Sequence, residues 1–145
     1  MNVWSNRSKG HMKQLHPLLQ LILNRALPIC DIALISSLRG FREQEQLVAS
    51  GASRVNWPNS KHNRTLDPTL EKIEMELSDA VDIVPHPSGY RDVQQMIYLV
   101  GILKGIAASM GIPIRCGLDW NGDGNINNKK GDLFDVAHIE LVWGE

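Results

Sequence analysis

The chain has 145 residues, 43% hydrophobic and 21% charged, with a net charge of −1. That length suits one domain with a sizeable core, and the composition is that of an ordinary globule rather than a disordered chain. Near-neutral charge excludes a global field that would draw nucleic acid or an anionic membrane, and no apolar run approaches the roughly 18 residues of a membrane span.

The N-terminus lacks the basic and apolar regions of a signal peptide, so a cytoplasmic protein is expected. Cys30 and Cys116 lie far apart, and there is no C-x-x-C pair. This argues against a disulfide framework and a cysteine zinc site, and predicts two buried thiols in a reducing compartment.

Residues 1–12 are polar, with Trp4 as an anchor. Leu15, Leu18, Leu19, Ile22, Leu23 and Ala26 follow in steps of three and four, predicting a helix over 12–26 stopped by Pro28. His11 and His16 flank its start in surface or capping positions. Ile29–Ser36 reads as a buried strand. A short helix over Glu43–Ser50 ends at Gly51, with Arg42 and Gln46 one turn apart on a face that reads as solvated.

A loop then leads to Ser60-Lys61-His62. Residues 63–77 read as a turn followed by a short amphipathic helix or a surface flap. Ala80–Val84 is a strand with Ala80, Asp82 and Val84 on one face and Val81 and Ile83 on the other. The main core helix runs Asp92–Met110, where Gly101 and Gly105 are expected to allow close packing against a sheet. Ile112–Cys116 and Phe134–Trp143 are strands flanking a polar loop. Strands and helices without regular βαβ alternation argue for an α+β fold.

In the last strand Asp135, His138 and Glu140 sit among five apolar residues. Burying an ionised carboxylate costs several kcal/mol, of order a few, unless a cation or hydrogen bonds compensate it. A metal ion or a catalytic cleft would do so, and Ser60-Lys61-His62 with Ser78-Asp79-Ala80-Val81-Asp82 reads as the other half of such a site. Catalytic zinc takes three protein ligands and leaves a position for water, and a nearby carboxylate takes the water's proton. On spacing alone each histidine reads more readily as surface or satisfied core than as a ligand.

The loop Asp119-Trp120-Asn121-Gly122-Asp123-Gly124-Asn125-Ile126 has the opening of a calcium loop, with Asp119, Asn121, Asp123 and Asn125 as candidate ligands. The position for the closing glutamate is held by Lys130, with Asp132 just beyond. The competing reading is a polar turn that uses Asn and Gly for its backbone.

Together these segments resemble the M15 family of zinc peptidases, which takes in D-Ala-D-Ala carboxypeptidases and dipeptidases and the phage L-alanyl-D-glutamate endopeptidases. Ser60-Lys61-His62 is similar to the family's S-x-H, Ser78–Asp82 to its G-x-A-x-D segment, and Asp135-Val136-Ala137-His138 to its [DE]-x-x-H. Gly40-Phe41-Arg42 through Gln46 resembles its G-[FY]-R…Q segment. Leu15-His16-Pro17-Leu18 and Gly117-Leu118-Asp119-Trp120 resemble the phage branch.

The resemblance implies a small antiparallel sheet packed against helices, with a zinc site in a cleft on the sheet, in a single domain over 1–145. It implies that His62, Asp82 and His138 bind zinc and that Asp135 is the general base, with Glu140 as runner-up. Arg42 would polarise the scissile carbonyl or hold a substrate carboxylate, and Ser60 and Gln46 would lie beside the substrate. Asp135, three before His138, must then precede the strand or sit across a bulge.

Two departures stand out. His62 and Asp82 are 20 residues apart, a longer interval than in compact members, which places an insertion at 63–77. Ser78 replaces a glycine, which is expected to strain the turn. Asp79 is a rival ligand, but alternation puts it opposite Asp82.

The implied function is a monomeric phage or prophage endolysin. It would be kept in the host cytoplasm until release and would cut the L-Ala–D-Glu bond of peptidoglycan without binding nucleic acid or inserting stably in membrane. The alternatives are a D-Ala-D-Ala carboxypeptidase or dipeptidase, and a wall module that binds metal without turnover.

Overall fold

The computed structural model describes residues 1–67, 69–70, 76–127 and 135–143. The N-terminal third forms two helices, α1 (Asn6–Met12) and α2 (Pro17–Ala26), followed by strand β1 (Ile32–Ser36) and helix α3 (Phe41–Ala49). After the insertion come β2 (Ala80–Pro85), a 3-10 turn (Gly89–Arg91), the long helix α4 (Val93–Ser109), β3 (Ile114–Cys116) and β4 (His138–Leu141). Among the described residues the strands form one four-stranded sheet in the order β1-β2-β4-β3, antiparallel throughout. The α+β architecture and small antiparallel sheet expected from sequence are present.

The helix expected over 12–26 starts only at Pro17, and a separate helix, α1, occupies the stretch expected to be merely polar. Pro17 has no N–H to donate, so it fits the first helical position of α2, where that donor would be orphaned anyway. The His16 Nδ1 accepts from the Leu18 N–H and caps the same end. Upstream, Leu15 forms an isolated bridge with Ser78, with paired hydrogen bonds His16 N–H to Ser78 O and Ser78 N–H to Gln14 O. The break is thus used to tie the N-terminal segment to the start of β2.

Helix α4 begins on an Asp92 cap that accepts from Gln95 N–H. It ends in a Schellman turn, with Gly111 at φ +68° and Ile112 N–H bonded to Ala107 O. Its Met96, Leu99, Val100, Leu103 and Ala107 pack with Leu19, Ile22 and Leu23 of α2 and with Val81, Ile83, Ile139 and Leu141 of the sheet. Each such aliphatic side chain contributes about 1.5–3 kcal/mol on full burial. Gly101 and Gly105 do not mediate this packing. Both lie on the exposed side of α4 with open space where a β-carbon would stand, because the large side chains already fill the inner face.

The core therefore covers one face of the sheet, and alternation turns Asp82, His138 and Glu140 to the other. The register makes this concrete, since Asp82 pairs with His138, and Ala80 and Arg115 both pair with Glu140. Residues directly opposite in an antiparallel pair share a face.

Candidate active site

His62 Nε2, Asp82 Oδ1 and His138 Nδ1 form a nearly equilateral triangle. The separations are 3.2 Å between the two nitrogens and 3.3 Å from Asp82 Oδ1 to each. Bonds of about 2.0 Å to a tetrahedral zinc would put ligand atoms about 3.3 Å apart. All three residues are buried, and Asp82 Oδ1 is shielded from solvent without a well-formed hydrogen bond. A buried carboxylate oxygen that points at two imidazole nitrogens without bonding to either fits a cation at the common point. The residues present thus fit a zinc-type metal.

Each ligand is held from behind. His62 Nδ1 lies 2.8 Å from the Ser37 carbonyl, which fixes the tautomer that leaves Nε2 its lone pair. The Ser37 hydroxyl is itself held by His11 and Gln14. On the other side His138 Nε2 lies 2.8 Å from Glu140 Oε1, and Lys61 Nζ lies 3.0 Å from Glu140 Oε2. Arg39 Nη2 donates to Asp82 Oδ2 at 2.7 Å, and Arg39 Nε donates to the Ser36 hydroxyl.

The charges follow from this packing. Burial opposes ionisation of Asp82, but the His138 and His62 imidazoles outweigh it and hold the carboxyl well below the usual range. Burial likewise opposes protonation of His138, yet Asp82 and Glu140 lift its pKa to about 9. Burial lowers that of His62. For Glu140, burial is overcome by His138 and Lys61, and the carboxyl stays ionised to lower pH than usual.

Asp135 precedes β4, in a turn closed by His138 N–H to Asp135 O. Its carboxylate is 4.0 Å from His138 Nδ1 and open to solvent. Desolvation by the surrounding protein, then the Asp82 charge, raises its pKa. Gly117 makes the turn possible, because a β-carbon there would overlap the Asp135 carbonyl oxygen. Glu140, in contrast, is 4% exposed with both oxygens engaged.

The structure brings together His62, Asp82, His138 and Asp135. Ser60 organises the turn before His62, its hydroxyl accepting from the His62 N–H. Arg42 and Gln46 are exposed on α3, while Arg39 reaches Asp82 and Gln44 is buried on Ser53, Val55 and Asn63. Sequence reasoning passed over both residues. The signal for Arg39 was its place just past the end of β1, whose Ser36 pairs with Asp82. For Gln44 it was the inward face of a short amphipathic helix.

Asp79 stands apart from the triangle, its Oδ2 accepting from Leu66 N–H and Trp143 Nε1. Ser78 brings no strain of the expected kind, since no described non-glycine residue has positive φ. Its hydroxyl instead bonds Ala80 O and accepts from Ala80 N–H. Both thiols are buried and unpaired to each other, and burial pushes that of Cys116 up to about 12.

In the calcium-like loop, Asp119 is buried and its Oδ2 is ion-paired with Lys104 Nζ and accepts from Gly124 N–H. Asn121, Asp123 and Asn125 each accept a backbone N–H two residues on. Lys130 and Asp132 lie outside the described residues, as do residues 68 and 71–75 of the 63–77 insertion.

A family model described as phage L-alanyl-D-glutamate peptidase matches residues 2–142. The chain belongs to that family. It is therefore a peptidase acting on peptidoglycan. Among solved structures, the L-Ala D-Glu endopeptidase ChiX of Serratia marcescens is similar in fold, with a TM-score of 0.70 and 21% identity over 96% of this chain and 89% of that one. No curated protein sequence gives a significant match. Among the described residues no helix is long and apolar enough to cross a membrane.

Proposed function

We propose that this peptidase is a zinc-dependent endopeptidase that cuts the L-Ala–D-Glu bond of peptidoglycan stem peptides, as a single-domain phage or prophage endolysin. The triangle of His62, Asp82 and His138, with its unbonded buried Asp82 oxygen, carries the metal part of the reading. The family carries the bond. Zinc supplies Lewis acidity and makes water a usable nucleophile near neutral pH.

Asp135 is the base. It is the carboxylate beside the triad that is open to solvent, and its raised pKa favours accepting a proton. It takes a proton from the attacking water and delivers it to the departing D-Glu nitrogen as the C–N bond breaks, leaving a carboxylate on L-Ala. Glu140 orients His138 instead. Arg39 fixes Asp82 and places a permanent positive charge beside it, and it takes over the role at the scissile carbonyl that the resemblance gave to Arg42.

Purified peptidoglycan digested with and without a chelator, with products read by mass spectrometry, tests this. New D-Glu amino termini that vanish on chelation and return with zinc are expected. Release of D-Ala alone would move the enzyme to the carboxypeptidase reading, and bound zinc without cleavage to a wall module.

The two arginines separate in the same assay. Arg39→Ala is expected to lower kcat/KM or zinc affinity by about 10–100-fold, the usual cost of losing a partner that orients a metal ligand. Arg42→Ala is expected to stay within about twofold, as for an exposed side chain. Equal effects would return the role to Arg42.

The loop from Asp119 to Asn125 is the second proposed metal site, for calcium. Its support is the 1, 3, 5 oxygen spacing and a buried Asp119 Oδ1 without a hydrogen bond. Lys104 must give up Asp119 for calcium to enter. A calorimetric titration is expected to show binding that Asp123→Ala removes, and no heat with the native protein would end the proposal.

A further inference from the structure

The substrate of a peptidoglycan peptidase is not a peptide alone. The stem peptide begins at L-Ala, whose nitrogen is acylated by a lactyl group carried on an N-acetylated sugar of the glycan strand. The lactyl group takes the place of one residue, so the sugar stands about two residue lengths, roughly 7 Å, before the scissile carbonyl. An aromatic surface at that distance would hold it, because a pyranose ring presents a face of C–H groups.

The polarity of the site says which side carries the sugar. Asp135 delivers its proton to the departing D-Glu nitrogen, and it lies in the turn against Gly117, at the end of β3. The leaving side therefore faces the β3 edge of the sheet. The L-Ala side faces the β1 edge, from which Arg39 reaches Asp82.

On that edge the start of α3 and the His62 loop form one unit. Arg39 N–H donates to the His62 carbonyl at 2.8 Å, and Asn63 Nδ2 donates to the Arg39 carbonyl and to Gln44 Oε1. Two residues after Arg39 stands Phe41, 59% exposed, and five before His62 stands Trp57, 41% exposed. Their rings meet edge to face with centroids 5.7 Å apart. Two residues of chain span at most roughly 7 Å, the same interval that separates the sugar from the scissile carbonyl.

An exposed apolar patch of this kind marks a surface that meets a ligand. The pair is also held rigidly. Buried Gln44 donates to Ser53 Oγ and to the Val55 carbonyl, and Glu45 Oε1 accepts from the Trp57 N–H. The loop thus needs little further ordering when a ligand arrives. Between Trp57 and the metal ligand, Pro58, Asn59, Ser60 and Lys61 line a cleft of about 90 Å3 with Arg64 and Leu66. The surface therefore stays concave from the aromatic pair to the turn that carries His62.

We propose that Phe41 and Trp57 form a sugar subsite that binds the N-acetylated sugar carrying the stem peptide, on the L-Ala side of the scissile bond. This rests on the L-Ala–D-Glu endopeptidase reading above. The enzyme recognises its bond partly from the glycan, and a stem peptide already freed from its sugar is the poorer substrate.

The test compares two soluble substrates with the same stem peptide, one bearing the sugar on its lactyl group and one bearing the lactyl group alone. The zinc-loaded native enzyme is expected to favour the sugar-bearing peptide by about 3–10-fold through KM, the scale of one aromatic stack. Phe41→Ala and Trp57→Ala should each lose that preference, so that the two peptides are cut nearly alike. Trp57→Phe should keep part of it. Calorimetric binding to zinc-loaded Asp135→Asn, which is expected to bind without cutting, should show the same preference and the same loss.

Equal losses on both peptides would overturn the proposal, because a role in folding or in self-association lowers every substrate alike. A native enzyme that cuts both equally well would overturn it too. Failure to cut either peptide, with zinc bound, would instead overturn the endopeptidase reading and the inference with it.

Discussion

Asp135→Asn is expected to lower kcat by about 10²–10⁴-fold, the usual contribution of a positioned general base, while zinc content and KM stay near native values. The amide keeps the shape of the carboxylate and cannot accept the water's proton. It also lies outside the triad, so the metal should load normally. Glu140→Gln gives the contrast. Its oxygens hold His138 Nε2 and the Lys61 ammonium, so the loss should fall on zinc affinity, by about 10–100-fold. Added zinc should restore much of the Glu140→Gln activity and none of the Asp135→Asn activity. If the two variants behaved the other way round, Glu140 would be the base.

Removing the metal should make the pH dependence of stability change sign. In the metal-free protein His138 has a folded-state pKa of about 9, above the unfolded value of about 6.5. A raised folded pKa gives stability that is fully present below about pH 6.5 and is lost as pH rises through about 9. The difference is on the order of 3 kcal/mol at most.

Zinc must displace that proton, so its apparent affinity should rise about tenfold per pH unit from about 6 to 9 and then flatten. The melting temperature of the metal-free protein should accordingly fall over pH 6.5–9, while that of the zinc-loaded protein under limiting zinc should rise. Parallel curves would mean that His138 is not a ligand. His138→Ala should abolish activity and remove the opposed trends together.

These expectations rest on parts legible to different degrees in the sequence. The α4 helix was readable almost to the residue, because Asp92 caps one end, Gly111 closes the other, and the side chains between repeat with helical period. The break between α1 and α2 was not. The apolar stripe continues through Leu15, but its partner there is Ser78, 63 residues away, a tertiary pairing that overrides local periodicity.

The proposed ligands His62, Asp82 and His138 could be picked out because acids and a histidine in an apolar stretch pointed to a site and the resemblance to the M15 motifs supplied the positions. Which of Asp135 and Glu140 is open to solvent could not. Asp135 lies outside β4 because the chain turns over Gly117, and Glu140 is buried by Lys61 from a distant loop.

By itself, then, the sequence determined the chemistry available: three side chains that could hold a metal, two nearby acids and several arginines in an α+β chain. The tertiary structure decided the placement of near neighbours: Arg39 rather than Arg42 reaches Asp82, and Asp135 is open beside the buried Glu140. The physical reason is that helix and strand periodicity are local and survive in a linear reading. Which of two adjacent charged groups is desolvated, and by whom it is paired, depends on sheet register and on contacts that only folding creates.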